Sequence, residues 1–307
     1  MQILISGSSG LVGSALIPFL LEKGHKVSRL VRHPPKTGAQ EIQWDPDAGT
    51  IDLTKLEGIE GVVHLAGDPI AAGRWTPEKK ARIRDSRVKG TRILAESLAR
   101  LQRPPKVMAC ASAIGYYGNR ENEILEETSA PGTGFLAEVG QQWEKAAEPA
   151  AQRGIRVVNL RFGIVLSPRG GALKMMMVPF KMGMGGNLGS GKQVMSWVAI
   201  EDVIGAIHHA LTTEGIRGPV NVVAPHPVTN GEFTKTLGSV LRRPTFFPVP
   251  ALAARLLFGE LADEALLASA RVEPARLLGS GYSFRYPELE GALRHLLTKS
   301  KAAELMQ

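Results

Sequence analysis

Cysteine is nearly missing from this 307-residue chain, where Cys110 is the single instance. An internal disulfide and a cysteine-based zinc site are therefore excluded, and no metal site is expected; the composition suits a reducing compartment. Tyrosine is scarce too: Tyr116, Tyr117, Tyr282 and Tyr286 are the only four. None is followed by a lysine four residues on, so no tyrosine and lysine can be paired one helical turn apart. Long hydrophobic runs are also lacking. The apolar stretch around Leu16 to Leu21 falls far short of the roughly 20 residues that span a bilayer. The chain opens at once with a core-strand pattern, Gln2 to Ser6, which leaves no room for a signal peptide. A cytoplasmic location without membrane insertion is expected.

Acidic residues are outnumbered, with 37 Lys and Arg against 29 Asp and Glu and a formal net charge of +8. The cations are scattered, apart from a modest concentration between Lys79 and Arg92 that also carries Asp85. No nucleic-acid-binding signature accompanies it, so no nucleic-acid partner is expected. A solvated helix face, or a pocket for an anionic cofactor, accounts for the charge. The 44% hydrophobic and 21% charged content is that of a folded globular chain, long enough for one large α/β domain and a small appendage.

What is present in abundance is glycine, and its placement organises the chain. Gln2-Ile3-Leu4-Ile5-Ser6 reads as a buried parallel strand. Gly7-Ser8-Ser9-Gly10-Leu11-Val12-Gly13 follows, then apolar residues at helical spacing up to a stop at Gly24, then a second strand from Lys26 to Val31. A strand, glycine turn, helix and strand in this order form a dinucleotide site. Gly7 makes the tight turn, Gly10 admits phosphate to the backbone, and Gly13 lets the helix pack closely on the sheet. Ser9, Leu11 and Val12 complete the loop, whose free N–H groups and helix dipole face the phosphates. At the end of the second strand, the place of the acidic residue that bonds ribose hydroxyls is taken by Val31, and Arg32 follows. An acid would repel a 2′-phosphate, whereas a guanidinium clamps it, so NADP(H) is the expected cofactor. The alternative for Arg32 is an ordinary surface arginine.

Further on, a strand is expected from Glu41 to Trp44 and another over Gly61-Val62-Val63-His64-Leu65-Ala66-Gly67. Thr76-Pro77 opens a long helix to Leu101, with Thr76 as N-cap. Lys106 to Cys110 is a strand that leads into Ala111-Ser112-Ala113-Ile114-Gly115-Tyr116-Tyr117-Gly118, and Phe135 to Ala151 is a helix with one apolar face. In the last third, Met175 to Met177 read as core filling or as a flexible pocket wall. The glycines from Gly183 to Gly191 form a pliant loop beside Trp197, suited to closing over a ligand. Helix, strand and helix follow at Glu201 to Thr212, Val220 to Val223 and after Thr229, and the end from Lys299 is expected to fray.

The G-x-x-G-x-x-G spacing resembles the extended branch of the short-chain dehydrogenase/reductase superfamily. His64-Leu65-Ala66-Gly67 is similar to its H-x-A-G segment, Arg87-Val88-Lys89-Gly90-Thr91 to its N-V-x-G-T, and Ala111 to Gly118 to its S-S-x-x-V-Y-G run. The chain is also similar throughout to the atypical "epimerase family" proteins called YfcH-like or SulA-like, which carry a C-terminal domain of unknown function. That likeness rests on Arg161 to Leu166, Gly170 to Leu173, Gly183 to Gly186 and Ser196 to Asp202. The resemblance implies a Rossmann-like doubly wound parallel sheet with a small C-terminal, substrate-side lobe. Residues 1–170 would form the nucleotide domain and 171–307 the lobe, with 199–225 returning to the sheet.

By the same resemblance, Leu65, Ala66, Gly67, Arg87, Ser112 and Val165 join the glycine loop in holding the cofactor. Ser112 would hold the reacting oxygen, Tyr117 would contact substrate or donate a proton, and Trp197 would belong to the substrate side. The alternative for Tyr116 and Tyr117 is a packing or substrate-wall role, and for Arg87 a solvated helix charge. The helix from Phe135 lacks the family's Y-x-x-x-K; Glu138, Gln141 and Lys145 are weaker substitutes. Pairing through the Pro77 and Phe135 helices would make a homodimer, though their outward faces are not strongly apolar. Two functions are compatible with these residues. One is an NADP(H)-dependent oxidoreductase or nucleoside-sugar epimerase-like enzyme acting on an unidentified small molecule. The other is a catalytically silent NADP(H)-binding regulator.

Overall fold

Alternate residues of the central strands enter two different cores. In the computed structural model, which describes residues 1–304 and side chains up to residue 298, Ile3, Ile5, Val63, Val107 and Ala109 join one cluster. Their neighbours Leu4, Val62, Met108 and Cys110 join the other. Strands buried on both faces carry near-continuous apolar runs, as parallel strands with helices on either side do.

Eight strands make the main sheet: β1 Gln2–Ser6, β2 Lys26–Val31, β3 Glu41–Asp45, β4 Thr50–Ile51, β5 Gly61–His64, β6 Val107–Ala113, β7 Arg156–Phe162 and β8 Gly218–Val222. The order is β8-β7-β6-β5-β1-β2-β3-β4. All neighbours are parallel except β3 and β4. The sheet grows outward in opposite directions from β1 and β5, so a crevice opens at the C-terminal ends of these two strands.

The helices are α1 Leu11–Glu22, α2 Pro77–Ala99, α3 Phe135–Lys145, α4 Glu148–Gln152, α5 Gly171–Lys181, α6 Ile200–Thr212, α7 Asn230–Leu241, α8 Ala251–Phe258, α9 Ala275–Gly279 and α10 Leu289–Glu304. Gly24 lies at φ +78° just past the α1 end, where a left-handed residue closes the helix. Thr76 accepts a hydrogen bond from Lys79 N at 3.2 Å, and Thr229 with Glu232 forms a capping box on α7. The single helix expected from Phe135 to Ala151 is two. Pro149 has no N–H to give to the carbonyl of Lys145, and its ring crowds that carbonyl, so α3 ends and α4 starts afresh. The fraying expected from Lys299 concerns residues whose side chains lie outside those described.

Short strand pairs tie the C-terminal lobe to this frame. Trp197–Ala199 runs parallel to Ile164–Leu166, Arg271–Val272 parallel to Ile124–Leu125, and Val194–Met195 antiparallel to Val228–Thr229. This placement corrects the expectation for Trp197. Its side chain is fully buried in the main core and its Nε1 donates to the carbonyl of His226 at 3.1 Å, so it has no face to offer a ligand. The glycine loop beside it is not a free flap either. Phe247 N donates to Gly185 O at 3.2 Å, Val249 N to Asn187 O at 2.8 Å and Gly189 N to Val249 O at 2.9 Å. A Cβ on Gly186 would stand 1.9 Å from Phe247 O, so glycine is needed there for close packing rather than for motion.

Trp197→Ala should therefore act as a core deletion. A loss of about 3–5 kcal/mol in urea unfolding is expected; unchanged stability with lost ligand binding would return Trp197 to the cleft.

Candidate functional site

The turn after β1 is built for something that touches the backbone. Gly7 stands at φ +67°, and a Cβ there would meet the Leu65 carbonyl carbon at 2.7 Å. A Cβ on Gly13 would lie 2.3 Å from Gly7 O. Both glycines are thus required, one to let β1 and β5 meet and one to seat α1. Gly10 differs: it is exposed, its nearest obstacle is Gly7 O at 3.2 Å, and it caps α1 without a side-chain hydrogen bond. No acidic residue occupies the first turn of α1. The result is an uncapped, positively polarised helix end fronted by the exposed Ser9 and Gly10, a place suited to an anion. Leu11 and Val12 are half-buried behind it, and the Leu11 side chain lies against Gly170 and Gly171 at the start of α5.

Arg32 is exposed one residue beyond β2, and Val31 is buried. The nearest acid on the neighbouring strand, Glu41, pairs with Arg29 at 3.0 Å. Among the described residues no carboxylate pairs with Arg32. A free guanidinium at this strand end is what a phosphate on the ribose needs.

Across the crevice, Leu65 and Ala66 are held by a buried hydroxyl. Ser6 Oγ accepts from Leu65 N at 3.1 Å and Ala66 N at 3.3 Å and lies 2.6 Å from His64 Nδ1. With both N–H groups donating to it, the hydroxyl proton goes to Nδ1, and His64 carries its own proton on Nε2. That nitrogen is buried with no hydrogen-bond partner, near Gly90 and edge-on to the Trp44 ring. Burial pushes the His64 pKa down to about 4. Gly67 is exposed, and a Cβ there would lie 3.3 Å from the Arg87 guanidinium carbon. Arg87 donates to Asp68 O at 2.9 Å and Ile83 O at 3.0 Å and lies over the Trp143 ring at 5.0 Å. Burial lowers its pKa to about 10 against the opposing pull of Asp68. Val165 is half-buried on Ile164–Leu166. The glycine loop, Leu65 to Gly67 and Arg87 are thus brought to one end of the sheet.

The candidate catalytic groups are placed otherwise. Alternation along β6 turns Ser112 into the protein and leaves Ala113 exposed. Ser112 is 2% exposed and its Oγ donates to Glu144 Oε1 at 2.8 Å. Glu144 in turn pairs bidentately with Arg161, at 2.7 and 2.8 Å. Arg161 Nη1 donates to the Tyr117 hydroxyl at 2.8 Å, and that hydroxyl donates to Asn221 Oδ1 at 2.7 Å. Tyr117 is fully buried, and burial raises its pKa. Both expected roles are therefore corrected: neither the Ser112 nor the Tyr117 hydroxyl is available to a substrate, because a buried guanidinium and carboxylate use them. Glu138, Gln141 and Lys145 point to solvent. On α3, Leu136 lies against Gly115 and Gly140 lies against Tyr116. They are one turn apart, and neither carries a titratable group, so this contact holds no tyrosine–lysine pair. Cys110 is no substitute, since burial pushes its thiol up to about 12. Among the described residues no group of three or more His, Cys, Asp or Glu could hold a metal ion.

Sequence reading missed Glu144, Glu127 and Asn221. Glu127 Oε1 accepts from the backbone N–H of Asn221 at 3.0 Å and of Arg276 at 3.1 Å. The available signal was Arg161 within the apolar strand Val157 to Phe162, because a cation in a buried strand requires a carboxylate partner.

Comparison with known proteins agrees with this geometry. The model described as "NAD dependent epimerase/dehydratase family" matches residues 3–223, and "Domain of unknown function (DUF1731)" matches residues 249–296. The chain is 42% identical over 295 residues to the epimerase family protein Mb2239 of Mycobacterium bovis, covering 96% of this chain and 97% of that one. It superposes with a TM-score of 0.89 on the crystal structure of human epimerase family protein SDR39U1 (isoform 2) with NADPH, at 32% identity, covering 97% of this chain and 99% of that one. A nucleoside-diphosphate sugar epimerase from Corynebacterium glutamicum gives a TM-score of 0.80 at 38% identity, covering 97% of this chain and 58% of that one.

Two outcomes follow. Glu144→Ala should cost about 3–5 kcal/mol in urea unfolding, because it leaves the Arg161 guanidinium buried without its partner. His64 folds as the neutral imidazole, with its pKa lowered from 6.5 to about 4, so the unfolded chain takes up the proton first as pH falls. Its contribution is complete above about pH 6.5 and is lost by about 1.4 kcal/mol per pH unit on the way down to about pH 4. Wild-type unfolding should show this slope and His64→Gln should flatten it.

Proposed function

The chain belongs to the NAD dependent epimerase/dehydratase family, and from that premise we propose that it binds NADP(H) and acts as an atypical short-chain oxidoreductase or epimerase-like protein on a small molecule. The observation that carries the cofactor reading is the pairing of an uncapped, acid-free α1 N-terminus with an exposed Arg32 that faces no carboxylate. Gly7, Ser9, Gly10, Leu11, Val12 and Gly13 would cradle the pyrophosphate. Arg32 beside Val31 would clamp the 2′-phosphate. Leu65, Ala66 and Gly67 would underlie the adenosine, with Arg87 reaching from beneath Gly67 and Val165 closing the nicotinamide side. The cofactor, when bound, supplies hydride exchange at its nicotinamide. The protein's own residues bind it, orient it and shield it from water.

Proton transfer must come from somewhere other than the family dyad. Of the two adjacent tyrosines, Tyr116 is only half-buried, and the Arg161 guanidinium lies over its ring at 3.6 Å. Its phenol is thus a better candidate than the Tyr117 hydroxyl. A second reading, an NADP(H)-binding sensor without turnover, is favoured by the absence of any tyrosine followed by a lysine four residues on, with Leu136 and Gly140 packed on the turn after β6.

Titration with NADPH and NADH, repeated on Arg32→Ala, tests the cofactor reading. NADPH should bind tighter than NADH, and the substitution should weaken NADPH by about 1.5–3 kcal/mol with NADH little changed. Equal loss for both nucleotides would remove the 2′-phosphate clamp, and binding of neither would overturn the proposal. NADPH oxidation with a panel of carbonyl compounds, compared between wild type and Tyr116→Phe, separates the enzyme from the sensor.

A further inference from the structure

One face of the C-terminal lobe is apolar, exposed and poor in negative charge. Its centre is the segment from Arg242 to Leu257. Phe246 is 82% exposed, and Phe247, Leu252, Leu256 and Leu257 are all more than half exposed. Leu252 and Leu256 stand one turn apart on α8, whose Ala254 packs inward. Beside this segment lies α5. Leu173, Met177 and Phe180 anchor it to the core, while Met175, Val178 and Met182 form an outward stripe at helical spacing. The two parts are joined physically: Arg243 Nε donates to Lys181 O at 2.9 Å, and the backbone bonds of Phe247 and Val249 run along residues 185 to 187. Single exposed hydrophobics are ordinary, but a continuous patch of this kind marks an interaction surface.

The charges identify the partner. Residues 167–200 contain Arg169, Lys174, Lys181 and Lys192 and no aspartate or glutamate. Residues 233–259 contain Lys235, Arg242, Arg243 and Arg255 and again no acid. All eight cations are exposed, and together they equal the formal net charge of the whole chain, +8. Among the described residues, Arg255 is the one of these eight in an ion pair, with Asp263 at 2.9 Å. Exposed phenylalanine, leucine and methionine interspersed along the same segments with exposed lysine and arginine is the arrangement that enters the headgroup boundary of an anionic bilayer, with apolar side chains in the acyl layer and cations at the phosphates. Among the described residues no helix is long and apolar enough to cross a membrane, so such contact would be peripheral.

We propose that this face, α5 together with Phe246, Phe247 and α8, docks the protein on an anionic lipid surface. The proposal is independent of the cofactor and of turnover. It is tested by co-sedimentation of the full chain with phosphatidylcholine vesicles with and without phosphatidylglycerol, at low and high salt. Binding is expected only with phosphatidylglycerol and should fall as salt rises. The double variant Lys174→Ala, Lys181→Ala should bind roughly thirtyfold more weakly, and Phe246→Ser, Phe247→Ser should lose co-sedimentation. These side chains are exposed, so both variants should keep the wild-type melting temperature, which separates lost docking from lost folding. Equal binding to neutral and anionic vesicles, no binding to either, or binding indifferent to both variants would overturn the proposal. So would a wild-type dimer in light scattering that the phenylalanine variant dissociates, since a second copy would then cover the face.

Discussion

The buried ion pair between Arg161 and Glu144 holds together parts of the chain that are far apart in sequence. Arg161 lies on β7 and Glu144 on α3, and both side chains are largely sealed from water. A desolvated pair must have every remaining donor and acceptor satisfied or its burial cost goes uncompensated. That requirement recruits the neighbours. Ser112 donates to the carboxylate, Tyr117 accepts from the guanidinium, and Asn221 accepts from Tyr117. Asn221 Nδ2 then donates to Glu273 O at 2.9 Å, which carries the network from the sheet into the C-terminal lobe. Three strands, one helix and the lobe are fixed by a single need to neutralise one buried cation.

The same network decides what the site can do. The hydroxyls that resemblance would place beside a nicotinamide are consumed inside the protein, while the nucleotide end of the crevice keeps its donors free. Gly10 is open, the α1 end is uncapped, and Arg32 has no acid to answer it. The molecule is therefore better equipped to hold a cofactor than to move a proton at the usual place. Leu136 and Gly140 make this concrete: their face of α3 packs on the 115–116 turn, and a larger side chain at position 140 would displace the Tyr116 backbone.

Legibility varied with the range of the interaction. The β1, α1 and β2 unit was readable because strand, glycine turn, helix cap and strand are adjacent and each has its own local signal. The caps at Thr76 and Thr229 were readable for the same reason. The break at Ala146 and Ala147 was missed although Pro149 announced it, because the apolar spacing continues across the break. Ser112 was misplaced by one step of the strand alternation, which sequence gives only when the buried face is known. The glycines from 183 to 191 suggest a closing loop with Trp197 on the substrate side, whereas the backbone bonds to 247 and 249 pin that loop down.

What the sequence determined by itself was the strand, helix and strand of the first unit, the caps at Thr76 and Thr229, the nucleotide turn and the absence of a tyrosine and lysine one turn apart. These are properties of neighbours along the chain, governed by backbone sterics, helix period and residue identity. Only the tertiary structure decided which side chains face the crevice. Whether Ser112 or Ala113 is exposed depends on Glu144 thirty-two residues later, and whether Tyr117 is free depends on Arg161 and Asn221. Burial and charge compensation are set by partners brought together in space, and no local pattern specifies them.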